Sequence, residues 1–156
     1  MKYVVVFYSR TGVTRKVAHT IAGILKCDCE EIVDTKDRSG VIGYVKSGTD
    51  AASKKLTVIK NPQKDPGLYD LVILGTPVWA FTMTPAMRTY IIQHKEKFKL
   101  VAFFCTQGGA GGKKTFKDME ALCGKKPIGM LILKTAEVLH GEYIKIRGFV
   151  NAIYSG

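Results

Sequence analysis

The chain has 156 residues, 46% of them hydrophobic, which predicts a single domain over residues 1–156 with a sizeable core and excludes a disordered chain. Its 24 basic and 13 acidic residues give a net charge of +11, but the lysine clusters lack interleaved aromatic residues and no nucleic-acid motif accompanies them, so nucleic acid is not expected as a partner. No apolar run approaches the roughly 20 residues of a membrane-spanning helix, and the N-terminus reads as a strand, so we expect a cytoplasmic protein with no membrane span.

Strand and helix patterns alternate along the first half of the chain. A continuous apolar run predicts a buried strand over residues 2–8, and apolar residues at helical spacing predict a helix over residues 13–25. A shorter and more polar strand at residues 30–33 suits the edge of a sheet. A weaker helix is predicted over residues 40–53, and residues 54–69 read as a mostly irregular connection. The side chains that this weaker helix is expected to turn inward are Val41, Tyr44 and Val45.

The first loop, residues 8–14, joins the first strand to the first helix and is rich in hydroxyl groups. Free backbone N–H groups and the positive end of the helix dipole favour a bound anion at such a junction. Ser9, Thr11 and Thr14 add hydroxyl donors, and Gly12 permits a tight turn. The pattern indicates a phosphate site, and the alternative is an ordinary turn with an N-capping serine or threonine.

The second loop, residues 76–82, follows a buried strand predicted over residues 71–75 and precedes a helix predicted over residues 85–94. It contains Trp79, the only tryptophan of the chain, and Phe81 beside it. An aromatic side chain at the ligand edge of an α/β sheet can stack on a flat ring, and the alternative is that Trp79 folds back into the core.

The third loop, residues 105–112, follows a buried strand predicted over residues 100–105. Four of its last five residues are glycine, so its backbone can approach a planar ligand closely; the alternative is a flexible surface loop. It is not a P-loop, because it lacks the required glycine five residues before Gly112 and the hydroxyl residue after lysine. The chain has no G-x-G-x-x-G dinucleotide motif either.

The remaining elements complete an alternating pattern that predicts the fold. A helix over residues 116–123, a strand over residues 128–134 and a last helix over residues 143–153 follow the third loop. Five strands alternating with helices predict an α/β protein with a doubly wound, five-stranded parallel sheet in the order 2-1-3-4-5 and helices on both faces. Ligands of such sheets bind beyond the carboxyl ends of the strands, where the strand order reverses between strands 1 and 3.

The three loops therefore describe a ligand with one phosphate and one flat ring, for which FMN is the best fit. A phosphorylated receiver domain shares the strand order but needs acidic residues after strands 1 and 3, and this chain has none there. The cysteines and histidines are not arranged as a metal site, so no metal is expected.

Residues 8–14, 75–80 and 106–109, each placed after a predicted strand, resemble the motifs of flavodoxins and flavodoxin-like FMN-binding domains, and the resemblance covers almost the whole chain. It implies FMN as the cofactor. It implies that the FMN phosphate is held by Ser9, Arg10, Thr11, Gly12, Val13 and Thr14. It implies that one side of the flavin is lined by Pro77, Val78, Trp79 and Ala80, and the other side by Thr106, Gln107, Gly108 and Gly109. The adjoining Thr76, Phe81 and Cys105 complete the expected cofactor-binding set.

The function that follows is FMN-dependent redox chemistry without a catalytic side chain. The leading hypothesis is flavodoxin-like electron transfer to a redox partner protein. The alternative is an FMN-dependent oxidoreductase acting on a quinone, a porphyrinogen or another small acceptor. Two departures from the family bear on this choice. Many relatives have glycine where this chain has Phe81, and electron-shuttling flavodoxins are typically acidic, whereas this basic chain would need acidic partners.

Overall fold

The computed structural model describes residues 1–156 except for the side chain of Val41. It contains one parallel sheet in the order β2-β1-β3-β4-β5, which confirms the predicted fold. The strands are β1 Tyr3–Phe7, β2 Asp28–Glu31, β3 Leu71–Pro77, β4 Leu100–Gln107 and β5 Met130–Lys134. The helices are α1 Val13–Leu25, α2 Gly40–Ala52, α3 Pro85–His94, α4 Gly112–Cys123, α5 Thr135–Leu139 and α6 Ile144–Ser155, with single 3-10 turns at Pro66–Leu68 and Lys95–Lys97.

The core lies on both faces of the sheet, because successive strand side chains point to opposite faces. In β1, Val4 and Val6 join the cluster that packs against α3 and α4, whereas Val5 and Phe7 join the cluster on α1 and α6. All four are buried, which explains why the strand reads as a continuous apolar run. Of the helices in the described part of the chain, none combines the length and apolarity that crossing a membrane requires.

The edge strand β2 differs from its prediction. It begins two residues earlier than expected, at Asp28, and ends at Glu31, so residues 32 and 33 lie beyond it. The β1–β2 register runs from Val4 opposite Asp28 to Phe7 opposite Glu31, and the pairing stops where β1 gives way to the first loop. The side chains of this edge strand are mostly polar and therefore carry a weak strand signal.

Helix α2 forms where predicted, but the expectation that Tyr44 and Val45 face inward is wrong, because both are exposed. The third residue expected there, Val41, lies outside the described side chains. The helix instead turns small and polar residues inward, among them Ser47 and Asp50. The physical reason is a buried arginine beneath the helix, described below, to which both Ser47 and Asp50 are hydrogen-bonded.

Two further segments complete the comparison. Residues 54–69 are largely irregular, as predicted, and Ile59 within them makes an isolated antiparallel bridge with Asp34. The short helix α5 directly follows β5 and was not predicted.

Candidate functional site

The first loop has the geometry of an anion site. Ser9 Oγ accepts a hydrogen bond from the Gly12 amide at 3.0 Å and closes the loop, while its own hydroxyl proton stays available to a ligand. Gly12 has a φ of 98°, which favours glycine. The Lys16 amide makes the first α1 bond, to the Gly12 carbonyl, so the amides of residues 13–15 have no partner within the helix. Such amides and the helix dipole attract negative charge.

Thr106 connects the three loops. Its Oγ1 lies 2.8 Å from Thr14 Oγ1 in the first loop, with both residues buried. Its carbonyl accepts a hydrogen bond from the Val78 amide in the second loop, also at 2.8 Å. The three sequence-predicted segments therefore meet at the carboxyl edge of the sheet.

The second loop is a tight turn with an unusual backbone. Trp79 and Thr82 exchange two backbone hydrogen bonds, of 3.0 and 3.1 Å. The two residues between them, Ala80 and Phe81, have φ values of 50° and 64°. This left-handed conformation costs a residue with a side chain roughly 1–2 kcal/mol, so the turn must be held by its surroundings.

A polar network behind the turn supplies part of that support. The Thr82 hydroxyl donates to Asp118 of α4 at 2.7 Å and accepts from the buried Arg88 of α3 at 3.2 Å. Lys114 also donates to Asp118 at 2.7 Å. The turn that carries Trp79 and Phe81 is thus attached to two helices.

Trp79 is half-buried and rests on a buried arginine that the sequence did not indicate. The guanidinium carbon of Arg38 lies 5.6 Å from the Trp79 ring centroid, and the ring of Tyr8 meets the indole edge-on at 5.5 Å. Trp79 therefore contacts the core without being enclosed by it, an outcome between the two sequence-based alternatives. Burial, reinforced by Asp34, raises the pKa of Tyr8 to about 12.

Arg38 is held by carboxylates from two segments. It donates to Asp34 at 2.8 Å and to Asp50 of α2 at 3.1 Å, and the three side chains are no more than 4% exposed. Lys36 also donates to Asp50, at 2.7 Å. An arginine four residues after an aspartate was the available signal for part of this cluster, but nothing in the sequence showed that Asp50 completes it.

We expect the stability of the protein to depend on pH through this cluster. Hydrogen bonds from Lys36 and then Arg38 lower the pKa of Asp50, against the effect of burial. A carboxyl group whose folded-state pKa lies below its unfolded value of about 3.9 stabilises the fold fully above that pH, and its contribution is lost as the pH falls through the folded pKa. The free energy of unfolding, measured by urea titration, should therefore differ between Asp50→Asn and the native chain at pH 7 and converge below about pH 4. A difference that stays constant with pH would contradict this assignment.

The third loop is closed by its own side chain and packs on the second. Gln107 Oε1 accepts from the Gly112 amide at 2.9 Å and so caps α4. Gly111 has a φ of 105°, and a Cβ there would lie 2.8 Å from Val78 Cγ1 and 3.1 Å from the Phe81 Cα. By contrast, Gly109 is exposed, with open space where a Cβ would be.

Gly111→Ala should therefore destabilise the protein by about 2–4 kcal/mol, since it combines backbone strain with a contact against the second loop. Gly109→Ala is the matched control and should change the unfolding free energy by less than about 0.5 kcal/mol. Chemical denaturation of both variants measures the difference, and equal effects would show that the two loops do not pack as described.

Two of the expected cofactor residues lie behind the loops. Thr76 and Cys105 have no exposed surface. The Thr76 hydroxyl donates to the Pro77 carbonyl at 2.8 Å, and burial raises the pKa of the Cys105 thiol to about 12. Among the other predicted residues, Thr11, Ala80, Gly108 and Gly109 are exposed, and Arg10, Gly12, Val13, Pro77, Val78, Trp79 and Gln107 are half-buried.

Two cavities adjoin these loops, and Arg10 lines both. One, of about 440 Å³, lies between the first loop and residues 31–40. The other, of about 480 Å³, lies between α2 and the second loop and is lined by Tyr44, Gly48 and Trp79 among others. Arg10 donates from Nε to the Arg38 carbonyl at 2.8 Å and from Nη2 to the Gly40 carbonyl at 3.0 Å. It therefore ties the first loop to the start of α2.

Comparison with known proteins gives a family and a shared fold. The family model described as Flavodoxin matches residues 2–145. A flavoprotein from Lactobacillus acidophilus, solved in complex with FMN, is 22% identical, with a TM-score of 0.73 over 89% of this chain and 97% of its own. A protein from Bacteroides eggerthii is 20% identical, with a TM-score of 0.75 over 93% of this chain and 98% of its own. The flavodoxin, WrbA-like protein from Agrobacterium tumefaciens is 14% identical, with a TM-score of 0.61 over 99% of this chain and 98% of its own. Among curated proteins, none matches this chain.

Proposed function

This chain belongs to the flavodoxin family, and on that premise we propose that it binds FMN and transfers electrons through the bound flavin. The observation that carries the proposal is the convergence at Thr106, which joins an anion-binding loop, an aromatic loop and a glycine-rich loop at one edge of the sheet. FMN is the cofactor of the solved Lactobacillus acidophilus complex, and its phosphate and flat ring match this set of loops.

In this proposal the first loop holds the phosphate. Ser9 and Thr11 offer hydroxyl protons, and the amides of residues 13–15 offer backbone donors at the positive end of α1. Thr14 contributes through its backbone, because its hydroxyl already pairs with Thr106. Arg10, also in the first loop, adds positive charge and forms no ion pair among the described residues.

The second and third loops hold the ring. Trp79 presents an aromatic surface whose position is set by contacts with Arg38 and Tyr8. Because the indole is already held in place, binding of the ring costs little side-chain entropy. Gly108 and Gly109 let the backbone of the third loop approach the ring, while Thr76 and Cys105 support the strand ends from behind. When bound, FMN supplies reversible one- and two-electron chemistry, and the chain tunes it by stacking, hydrogen bonding and exclusion of water.

In the electron-transfer role the net charge of +11 favours an acidic protein partner, since complementary charge accelerates encounter. A second candidate is an FMN-dependent oxidoreductase acting on a quinone, a porphyrinogen or another small acceptor. The cavity of about 480 Å³ beside Trp79 favours it, because it could admit such a molecule.

Purification tests the cofactor directly. The protein should be yellow, and acid precipitation should release FMN in a one-to-one ratio with the chain. A colourless protein that does not regain flavin absorbance on incubation with FMN would contradict the proposal. Steady turnover of NAD(P)H with a quinone would favour the oxidoreductase, whereas single-turnover exchange with an acidic carrier and no such turnover would favour the electron-transfer role.

A further inference from the structure

We propose that the exposed side of α2 is the docking surface for an acidic electron-transfer protein. The α2 surface, as we define it, consists of Ile42, Tyr44, Val45, Lys46 and Lys55. The assignment rests on the proposed function, because it concerns the route by which electrons reach or leave the cofactor.

Exposed apolar side chains form the centre of the α2 surface. Ile42 is 84% exposed, Tyr44 67% and Val45 61%. A hollow of about 520 Å³ is shared by the helix and the segment that follows it, and it is lined by Ile42, Val45, Lys46, Thr49, Asp50 and Lys55. Clustered exposed apolar groups on a soluble domain commonly mark an interaction site.

The orientation of α2 explains why these groups point outward. Asp50 and Ser47, on the inner side of the helix, are bonded to the buried Arg38. This polar contact fixes the rotation of α2 about its axis and leaves the apolar side facing solvent. An amphipathic helix usually turns its apolar side toward the core. In α2 the bonds to Arg38 reverse this arrangement.

The charges around this surface fit an acidic partner. Residues 40–60 contain four lysines, all exposed, and a single acidic residue, Asp50. The Asp50 carboxylate is buried, bonds to Lys36 and Arg38, and lies 3.8 Å from Lys55 Nζ, so one carboxylate faces three cations and the surface stays positive overall. A rim of one sign around an apolar centre steers an oppositely charged protein and fixes its orientation.

The α2 surface also adjoins the proposed cofactor site. Tyr44 and Val45 line the same cavity as Trp79 and Ala80, and the Arg10 guanidinium lies 5.5 Å from the Tyr44 ring centroid. A partner seated on α2 would therefore stand directly beside the second loop. This proximity favours a redox protein over an anionic membrane, which the same mixture of lysine and apolar residues could otherwise attract.

Stopped-flow electron transfer tests the assignment. The FMN-reconstituted protein is mixed with a reduced plant-type ferredoxin, a small acidic iron–sulfur protein, and flavin absorbance is followed at several salt concentrations. In Lys46→Glu/Lys55→Glu we expect the second-order rate at low salt to fall by about tenfold or more and its salt dependence to flatten. Ile42→Ser/Val45→Ser, which leaves the charge unchanged, should also lower the rate, by a few fold.

The matched control is Lys125→Glu/Lys126→Glu. These lysines follow the end of α4 and lie toward the amino ends of the strands, away from the three loops. Their replacement by glutamate changes the net charge by the same amount as the test variant, from +11 to +7. We expect the rate of this control to fall by less than about twofold. Equal losses in both charge variants would show a response to overall charge and overturn the assignment.

Three other results would also overturn it. Binding to vesicles of phosphatidylcholine and phosphatidylserine that is lost in Lys46→Glu/Lys55→Glu, together with unchanged ferredoxin rates, would assign the surface to a membrane. Failure to take up FMN would contradict the proposed function itself, and the docking assignment would fall with it. Normal FMN uptake with unaltered electron-transfer rates in every variant would refute the docking assignment and leave the proposed function standing.

Discussion

Ser9→Asp should abolish tight FMN binding while the fold stays intact. An aspartate oxygen can accept the Gly12 amide as the Ser9 hydroxyl does, so the closed loop survives the change. It also places a negative charge inside the proposed phosphate site. Two unit charges about 4 Å apart repel by roughly 4 kcal/mol at an effective dielectric constant near 20, which corresponds to a loss of affinity of about 100- to 1000-fold.

The control for this change is Ser9→Asn, which has nearly the same shape and no charge. Titration of the apo-protein with FMN, followed by quenching of flavin fluorescence, gives both affinities. Riboflavin, which lacks the phosphate, should bind the two variants equally. If Ser9→Asp and Ser9→Asn bound FMN alike, the phosphate would lie elsewhere than in the first loop.

Arg38→Met should destabilise the protein by about 3–5 kcal/mol, because removal of one partner leaves a buried charge unpaired. Asp34 would lose its ion-pair partner beneath α2, whereas Asp50 would lose the buried arginine and keep Lys36. The only tryptophan reports on the same change, since the Arg38 guanidinium lies over the Trp79 ring. We therefore expect the tryptophan emission of the folded variant to change along with the unfolding midpoint in urea.

Arg15→Met is the corresponding control. Arg15 pairs with Glu31 at the surface, where both side chains are about one-third or more exposed, so its loss should cost less than about 1 kcal/mol. A similar small effect of Arg38→Met would mean that the buried cluster does not hold α2. The α2 surface and the support of Trp79 would then both need another explanation.

The second loop shows how a bulky residue is accommodated in a left-handed turn. Phe81 occupies a left-handed conformation that glycine adopts more readily, and the residue is 58% exposed. The support comes from Thr82, which is bonded to Asp118 and Arg88.

The fold could be predicted because the three central strands are buried on both faces and most helices show clear apolar periodicity. The exceptions have specific causes. The edge strand β2 is polar, so its side chains did not reveal that it begins at Asp28. Helix α2 was predicted with the wrong side inward, because an apolar pattern indicates the core only when no buried charge competes for it.

The strand order, and with it the meeting of three loops at one edge, follows from the sequence pattern, since parallel strands all deliver their carboxyl ends to that edge. How the loops are joined depends instead on tertiary contacts. The Thr14–Thr106 pair spans 92 residues, and Arg38 reaches 12 residues to Asp50, distances at which no local pattern specifies a partner. Hydrogen bonds between such residues depend on the packed positions of α2 and the strand ends, so the support of Trp79 and the outward face of α2 became visible only in three dimensions.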